Sequence, residues 1–205
     1  MKVRSHNELQ DIIDNDLAKR KHELTTLKFI GLSLKRVHEL EVFYRLAIPL
    51  IYSHFEGYIK LASTAFLKLV LFKAKPLLEQ KENILAINYF KEIKRVSKAN
   101  DYINYIELIK LITERNGKPK YDPDDVVDTK SNVTTDTLRE IFSICGISFN
   151  YYWESKTFFI DNVLLKNRNQ IAHGELIPIA KETFESIYSN VFQMMDNFKN
   201  EIENL

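Results

Sequence analysis

Two long runs of apolar residues at helical spacing constrain this chain more than any other feature. Leu9, Ile12, Ile13, Leu17, Leu24, Leu27 and Ile30 recur at helical intervals, and Val42, Phe43, Leu46, Leu50, Phe55, Ile59 and Phe66 continue the pattern. The spacing predicts a first helix over about 6–36 and a second over about 38–74, with Pro49 placed to bend the second near its first third. Two antiparallel helices of that length form a bundle spine. Only five Gly and five Pro occur in 205 residues, which argues against a turn-rich β fold. The fold class expected is all-α.

Further breaks set the rest of the layout. Pro76 and the charged run Glu79-Gln80-Lys81-Glu82 end the spine. Shorter helices are expected near 84–97 and 100–115, the second capped by Asn100 or Asp101. Asn116 to Ser131 reads as a loop, with Gly117, Pro119 and Pro123 among four aspartates, Asp122, Asp124, Asp125 and Asp128. Their spacing lacks the glycine and terminal glutamate of a calcium loop, so the loop reads as acidic and solvated. Thr135 or Asp136 would cap a helix running to Cys145, with Gly146 as its stop. Ile147 to Trp153 reads as an extended aromatic stretch. Ser155 would cap a helix closed by Gly174, and a final helix is expected over about 180–203. The whole, 1–205, reads as one helical domain with a variable insertion around 76–134.

Composition excludes several functions. With 28% charged residues and a formal net charge of +1, the chain is not polybasic overall, so nucleic acid would have to meet a local patch. Lys19, Arg20, Lys21, Lys28, Lys35 and Arg36 form one candidate patch, and Lys60, Lys68, Lys73 and Lys75 another; both also read as solvated helix faces. The one cysteine, Cys145, rules out an internal disulfide framework, fits a reducing compartment and reads as a buried helix end. The greasiest run, Leu61 to Phe72, carries Lys68 and is too short to span a bilayer. The first residues lack the pattern of a signal peptide. A soluble, cytoplasmic protein with no membrane contact is expected. Asn132-Val133-Thr134 matches a glycosylation sequon without a secretory context and is set aside. Arg–x–His triplets at Arg4, Arg20 and Arg36 recur every sixteen residues, an interval that rotates their histidines around a helix and away from one metal site.

The chemistry concentrates in Lys166-Asn167-Arg168-Asn169-Gln170-Ile171-Ala172-His173-Gly174-Glu175. An arginine presents a fixed fork of donors matched to phosphate oxygens and keeps its charge. A histidine titrates near neutrality and can move a proton. Together they suffice to cut RNA through its own 2′-hydroxyl, with no metal and no cofactor. Arg168 would stabilise the charge developing on the phosphorus centre, and His173 would act as acid or base. Products would carry a 2′,3′-cyclic phosphate and a 5′-hydroxyl. In an unbroken helix the two residues lie about 140° apart, so they would meet only if the last turn unwound at Gly174. A helix ending there presents its negative end to His173, which suits the general-acid role.

The string Arg168-Asn169…His173 resembles the motif of the HEPN superfamily: arginine, a polar residue, a few positions, then histidine. Ile51-Tyr52-Ser53-His54-Phe55-Glu56-Gly57-Tyr58-Ile59-Lys60 resembles the second-helix block of a stand-alone bacterial HEPN subfamily. Phe159 to Leu165 and the last helix resemble it too, while 75–135 matches least. The resemblance implies a HEPN-type bundle with two long N-terminal helices, a motif helix and a C-terminal helix. It implies a metal-independent endoribonuclease of toxin–antitoxin or antiviral systems, or a non-catalytic module that binds RNA or a protein. It also implies a homodimer that joins two motifs in one cleft, and a possible antitoxin partner. Arg168, His173 and Asn169 would be catalytic; Lys166, Asn167 and Glu56 would contact RNA.

Overall fold

A computed structural model describes residues 2–99, 101–130 and 132–205, and all regular structure among them is helical. Helix α1 (His6–Ser33) opens on Ser5, whose hydroxyl accepts from the Glu8 N–H at 3.1 Å. It stops at Ser33, three residues short of the expected 36. Leu34 turns to an extended backbone while its N–H still reaches the Gly31 carbonyl.

Helix α2 (Val37–Phe72) is the axis of the molecule and runs unbroken through Pro49. It is buried on most sides: Ile48, Ile51, Phe55, Tyr58, Ile59, Ala62 and Leu67 are fully inaccessible. Helix α1 packs antiparallel to it, Gly31 meeting Phe43 and Arg20 meeting Gly57. The last helix, Lys181–Glu203, lies on both. Phe184 stacks on Tyr44 with ring centroids 4.8 Å apart, and Lys199 bonds Asp14 at 2.5 Å. The three long expected helices are therefore present, and they enclose one continuous apolar core.

The middle of the chain departs from the expectation in several places. The single helix over 84–97 is two, α3 (Glu82–Asn88) and α4 (Phe90–Ala99), broken at Tyr89, whose buried ring brings its hydroxyl to the Leu111 carbonyl at 3.4 Å. Asp101 caps α5 (Tyr102–Thr113) by accepting from the Asn104 N–H at 2.9 Å; the alternative, Asn100, lies outside the described residues. Within the expected loop Asp122 caps a short helix, α6 (Pro123–Val126).

Thr134, one residue before the two candidates, caps α7 (Thr135–Cys145), and Gly146 ends it in the left-handed region. The aromatic stretch after it is not extended to Trp153. Asn150 accepts from the N–H groups of Tyr152 and Trp153 and starts α8 (Tyr151–Phe158). Ser155 is inside that helix, donating to the Tyr152 carbonyl, and caps nothing. The aromatics at the end of that stretch join a cluster in which the Trp153 ring centroid sits 5.1 Å from that of Phe142 and 6.2 Å from that of Phe198.

From α8 the chain continues without a break through seven residues of π-helix, Phe159–Leu165, into α9 (Lys166–Ala172). These three pieces form the motif helix, which packs on α2. The last helix becomes α10 (Lys181–Glu203). Among the described residues no helix is long and apolar enough to cross a membrane.

Candidate active site

The widened π-turns sit immediately before the motif, a placement frequent at functional sites. Asn167 spends its side-chain amide on the Val163 carbonyl at 2.7 Å, tying α9 to those turns. That bond uses one of the two amide hydrogens and leaves the other, with the carbonyl oxygen, for a further partner. Lys166 is exposed.

Arg168 is half-buried and points towards α2. Its guanidinium lies over the Tyr52 ring, 4.9 Å from the centroid. Nη1 donates to Asn169 Oδ1 at 2.8 Å and to Asn132 Oδ1 at 2.9 Å. Asn169, one of the residues the resemblance made catalytic, thus holds the arginine. Both hydrogens of Nη1 are used, which leaves Nε and Nη2, the edge that grips two oxygens at once. Among the described residues nothing engages that edge, its atoms are not buried orphans, and no carboxylate pairs with Arg168.

Tyr52 is the floor under the arginine. It is almost wholly buried, and its hydroxyl accepts the Val133 N–H at 2.5 Å. Burial, with Glu56 one turn further along α2 adding to the effect, pushes the phenol up to about 12. It stays neutral at physiological pH and offers an electron-rich face to the cation. Glu56 itself is half-buried and neighbours Tyr52 rather than the arginine fork.

His173 sits at the far end of α9 and faces solvent. The last turn does not unwind before it: its N–H still bonds the Asn169 carbonyl at 2.9 Å. Gly174 then takes φ +83°, and the Gly174 and Glu175 N–H groups return to the Ile171 and Gln170 carbonyls, a double closure that needs a left-handed residue. Arg168 and His173 therefore keep the angular separation of a regular helix, and no hydrogen bond among the described residues joins them. Seven residues make nearly two turns, so His173 shares the outward face with Lys166. Glu175 is occupied by Gln170, which donates to it at 2.8 Å.

Several members of the two lysine-rich patches are engaged within the fold. Arg20 bonds Asp16 at 2.5 Å and the His54 carbonyl at 3.2 Å, and it packs so closely on Gly57 that a Cβ there would lie 2.8 Å from its Nη1. Lys21 pairs with Asp196 and lies over Phe192, Lys28 lies over Tyr188, and Lys68 pairs with Asp124 at 2.6 Å. Three of the four loop aspartates are accounted for the same way: Asp122 caps α6, Asp124 holds Lys68 and Asp128 accepts the Lys130 N–H at 2.8 Å. Burial pushes the Cys145 thiol up to about 12, far from a reactive thiolate.

Sequence reasoning missed Asn132 and Val133. Nothing in their immediate sequence signals that they meet Arg168 and Tyr52, because the contact depends on how the intervening segment folds back. No curated protein and no solved structure matches the chain. A family model does, that of RiboL-PSP-HEPN, over residues 15–204, a span holding α2, the motif helix and α10. The chain belongs to this HEPN family.

Proposed function

We propose that the protein is a metal-independent endoribonuclease of HEPN type, acting as a homodimer in toxin–antitoxin or antiviral defence and controlled by an antitoxin protein. HEPN domains are generally ribonuclease-like or RNA-related, which sets the class of substrate. The observation that carries the reading is the state of Arg168: fixed on one side by two amide oxygens, floored by a neutral ring and, among the described residues, open along its Nε/Nη2 edge with no carboxylate partner. A cation so held is built to receive an oxyanion.

The reaction follows from these groups. A base takes the 2′-hydroxyl proton, the 2′-oxygen attacks phosphorus, and the P–O5′ bond breaks. The leaving 5′-oxygen takes a proton from an acid. Arg168 holds the non-bridging oxygens while negative charge builds on them. His173 supplies one of the two proton transfers, a contribution of about 10²–10⁴ in rate. Lys166, on the face of His173, steers the neighbouring phosphate.

Because His173 and Arg168 diverge within one chain, the working site is assembled from two copies, one giving the arginine fork opposite the other's histidine. That divergence also favours a second reading, a module that binds RNA or a protein without cutting it.

Wild type and His173→Ala, incubated with a mixed RNA pool in EDTA, separate the two. Cleavage by wild type alone, leaving 2′,3′-cyclic phosphate and 5′-hydroxyl ends, supports the nuclease. RNA bound but uncut by both proteins supports the binding module.

A further inference from the structure

We propose that Asn132 is a positioning residue for Arg168, so that the turn at the end of the 76–134 insertion sets the geometry of the candidate site. The inference rests on the reading of Arg168 as the phosphate-binding group.

Three residues of the segment 132–135 fasten α2 to the motif helix, and the fourth caps α7. Asn132 Oδ1 accepts from Arg168 Nη1 at 2.9 Å. The Val133 N–H reaches the Tyr52 hydroxyl at 2.5 Å, and the Val133 side chain is fully buried. Thr134 caps α7. The Thr135 N–H bonds Asp161 Oδ1 at 2.9 Å, and its hydroxyl lies 3.3 Å from the Thr157 carbonyl. Asp161 lies in the π-helical stretch, and Thr157 shortly before it. The segment therefore touches the floor of the arginine, the arginine and the irregular turns that aim it.

Asn132 differs from its neighbours in what its side chain does. Its backbone already closes the turn, with its N–H on the Thr129 carbonyl at 2.9 Å and its carbonyl accepting from Thr134 at 3.0 Å. Among the described residues the side-chain oxygen serves Arg168 alone. A guanidinium over a ring can rotate in its own plane, because the ring attracts the cation without fixing which edge faces out. Asn169, its immediate chain neighbour on the same helix, gives one fixed point. Asn132 gives the second, from across the cleft, and two points on Nη1 stop the rotation. The Nε/Nη2 edge is then the one presented. An amide does this without neutralising the cation, whereas a carboxylate would compete with the phosphate.

The test compares Asn132→Ala and Asn132→Asp with wild type by three readouts: single-site RNA cleavage in EDTA, thermal stability, and ¹⁵N NMR of the Arg168 guanidinium, assigned by its loss in Arg168→Lys. Asn132→Ala should lower kcat about 10–100-fold, the size of effect a misplacement of about 1 Å produces. KM should move by less than about threefold, and the midpoint of unfolding by less than about 4 °C. Hindered rotation of the Arg168 Nη groups in wild type should become free. Asn132→Asp should restore the hindered signal and part of kcat while raising KM, because its charge offsets that of Arg168.

Cleavage at wild-type rate by Asn132→Ala, with unchanged Arg168 signals, overturns the inference. So does a loss of activity that tracks only the loss of folded protein in both variants. If wild type cuts no RNA, the nuclease reading fails, and the guanidinium signals alone decide whether Asn132 fixes the arginine.

Discussion

Replacing Tyr52 with phenylalanine removes one oxygen and leaves the ring beneath Arg168 in place. That oxygen is the partner of the Val133 N–H at 2.5 Å, and Val133 is fully inaccessible to solvent. The substitution therefore strands a buried backbone donor. Leaving such a group unsatisfied costs about 1–3 kcal/mol. For a chain of 205 residues each kcal/mol shifts the unfolding midpoint by about 2–4 °C, so a central cost of about 2 kcal/mol corresponds to about 4–8 °C. Urea denaturation followed by circular dichroism measures this directly. The midpoint should fall while the slope stays constant, because the surface exposed on unfolding is unchanged. A loss under about 0.5 kcal/mol, the size of an ordinary surface substitution, refutes the argument. It would mean that the 132–135 turn is not fastened to α2 through this hydroxyl.

Two further outcomes follow from buried titratable groups. His54, on α2, faces α1, with the Glu23 carboxylate 3.6 Å away and, among the described residues, no hydrogen-bond partner for either ring nitrogen. Burial holds its pKa below the usual histidine value; Arg20 also lowers it, while Glu23 and Asp16 act against them. The folded state therefore binds fewer protons than the unfolded one. The stability this histidine contributes is complete above about pH 6.5 and is lost as pH falls through its lower folded value. Stability profiles of wild type and His54→Gln between pH 7.5 and 5 should differ in slope, the wild type falling faster; parallel profiles contradict it. Cys145, buried and pushed up to about 12, should resist a thiol reagent at pH 8 in the native protein and react at once in denaturant. Rapid labelling of the folded protein would contradict its burial.

How much of this was legible in the sequence depends on the range of the interaction. The helices α1, α2 and α10 follow from local periodicity, which is a property of neighbouring residues. Helix ends do not: α1 stops where Leu34 turns, and α8 starts just after its cap Asn150, where the aromatic cluster around Trp153 and Phe142 gathers. The Arg168–Asn169–His173 motif is local and could be read directly, as could the resemblance that names its chemistry. Its orientation was not readable. The unwinding of the last turn that would have joined Arg168 and His173 does not occur: the turn is intact and closed by Gly174. The partners of the lysines were unreadable for the same reason. Lys21 meets Asp196 across 175 residues, and no local pattern reports that pairing. Asn132, set aside as part of a sequon, meets Arg168 across 36 residues. A tertiary contact between two short polar side chains leaves no periodic trace in the sequence.

The central claim is that the forked edge of Arg168, held open by its surroundings, binds the phosphate that is cut. Arg168→Lys tests it most directly, because lysine keeps the positive charge and loses the fork. Single-turnover cleavage of a defined RNA in EDTA, normalised to folded protein, should fall about 10²–10³-fold, the loss seen when one charge-stabilising donor is removed. Cleavage at close to the wild-type rate by Arg168→Lys would contradict it, because a point charge would then do all that the fork is held in place to do.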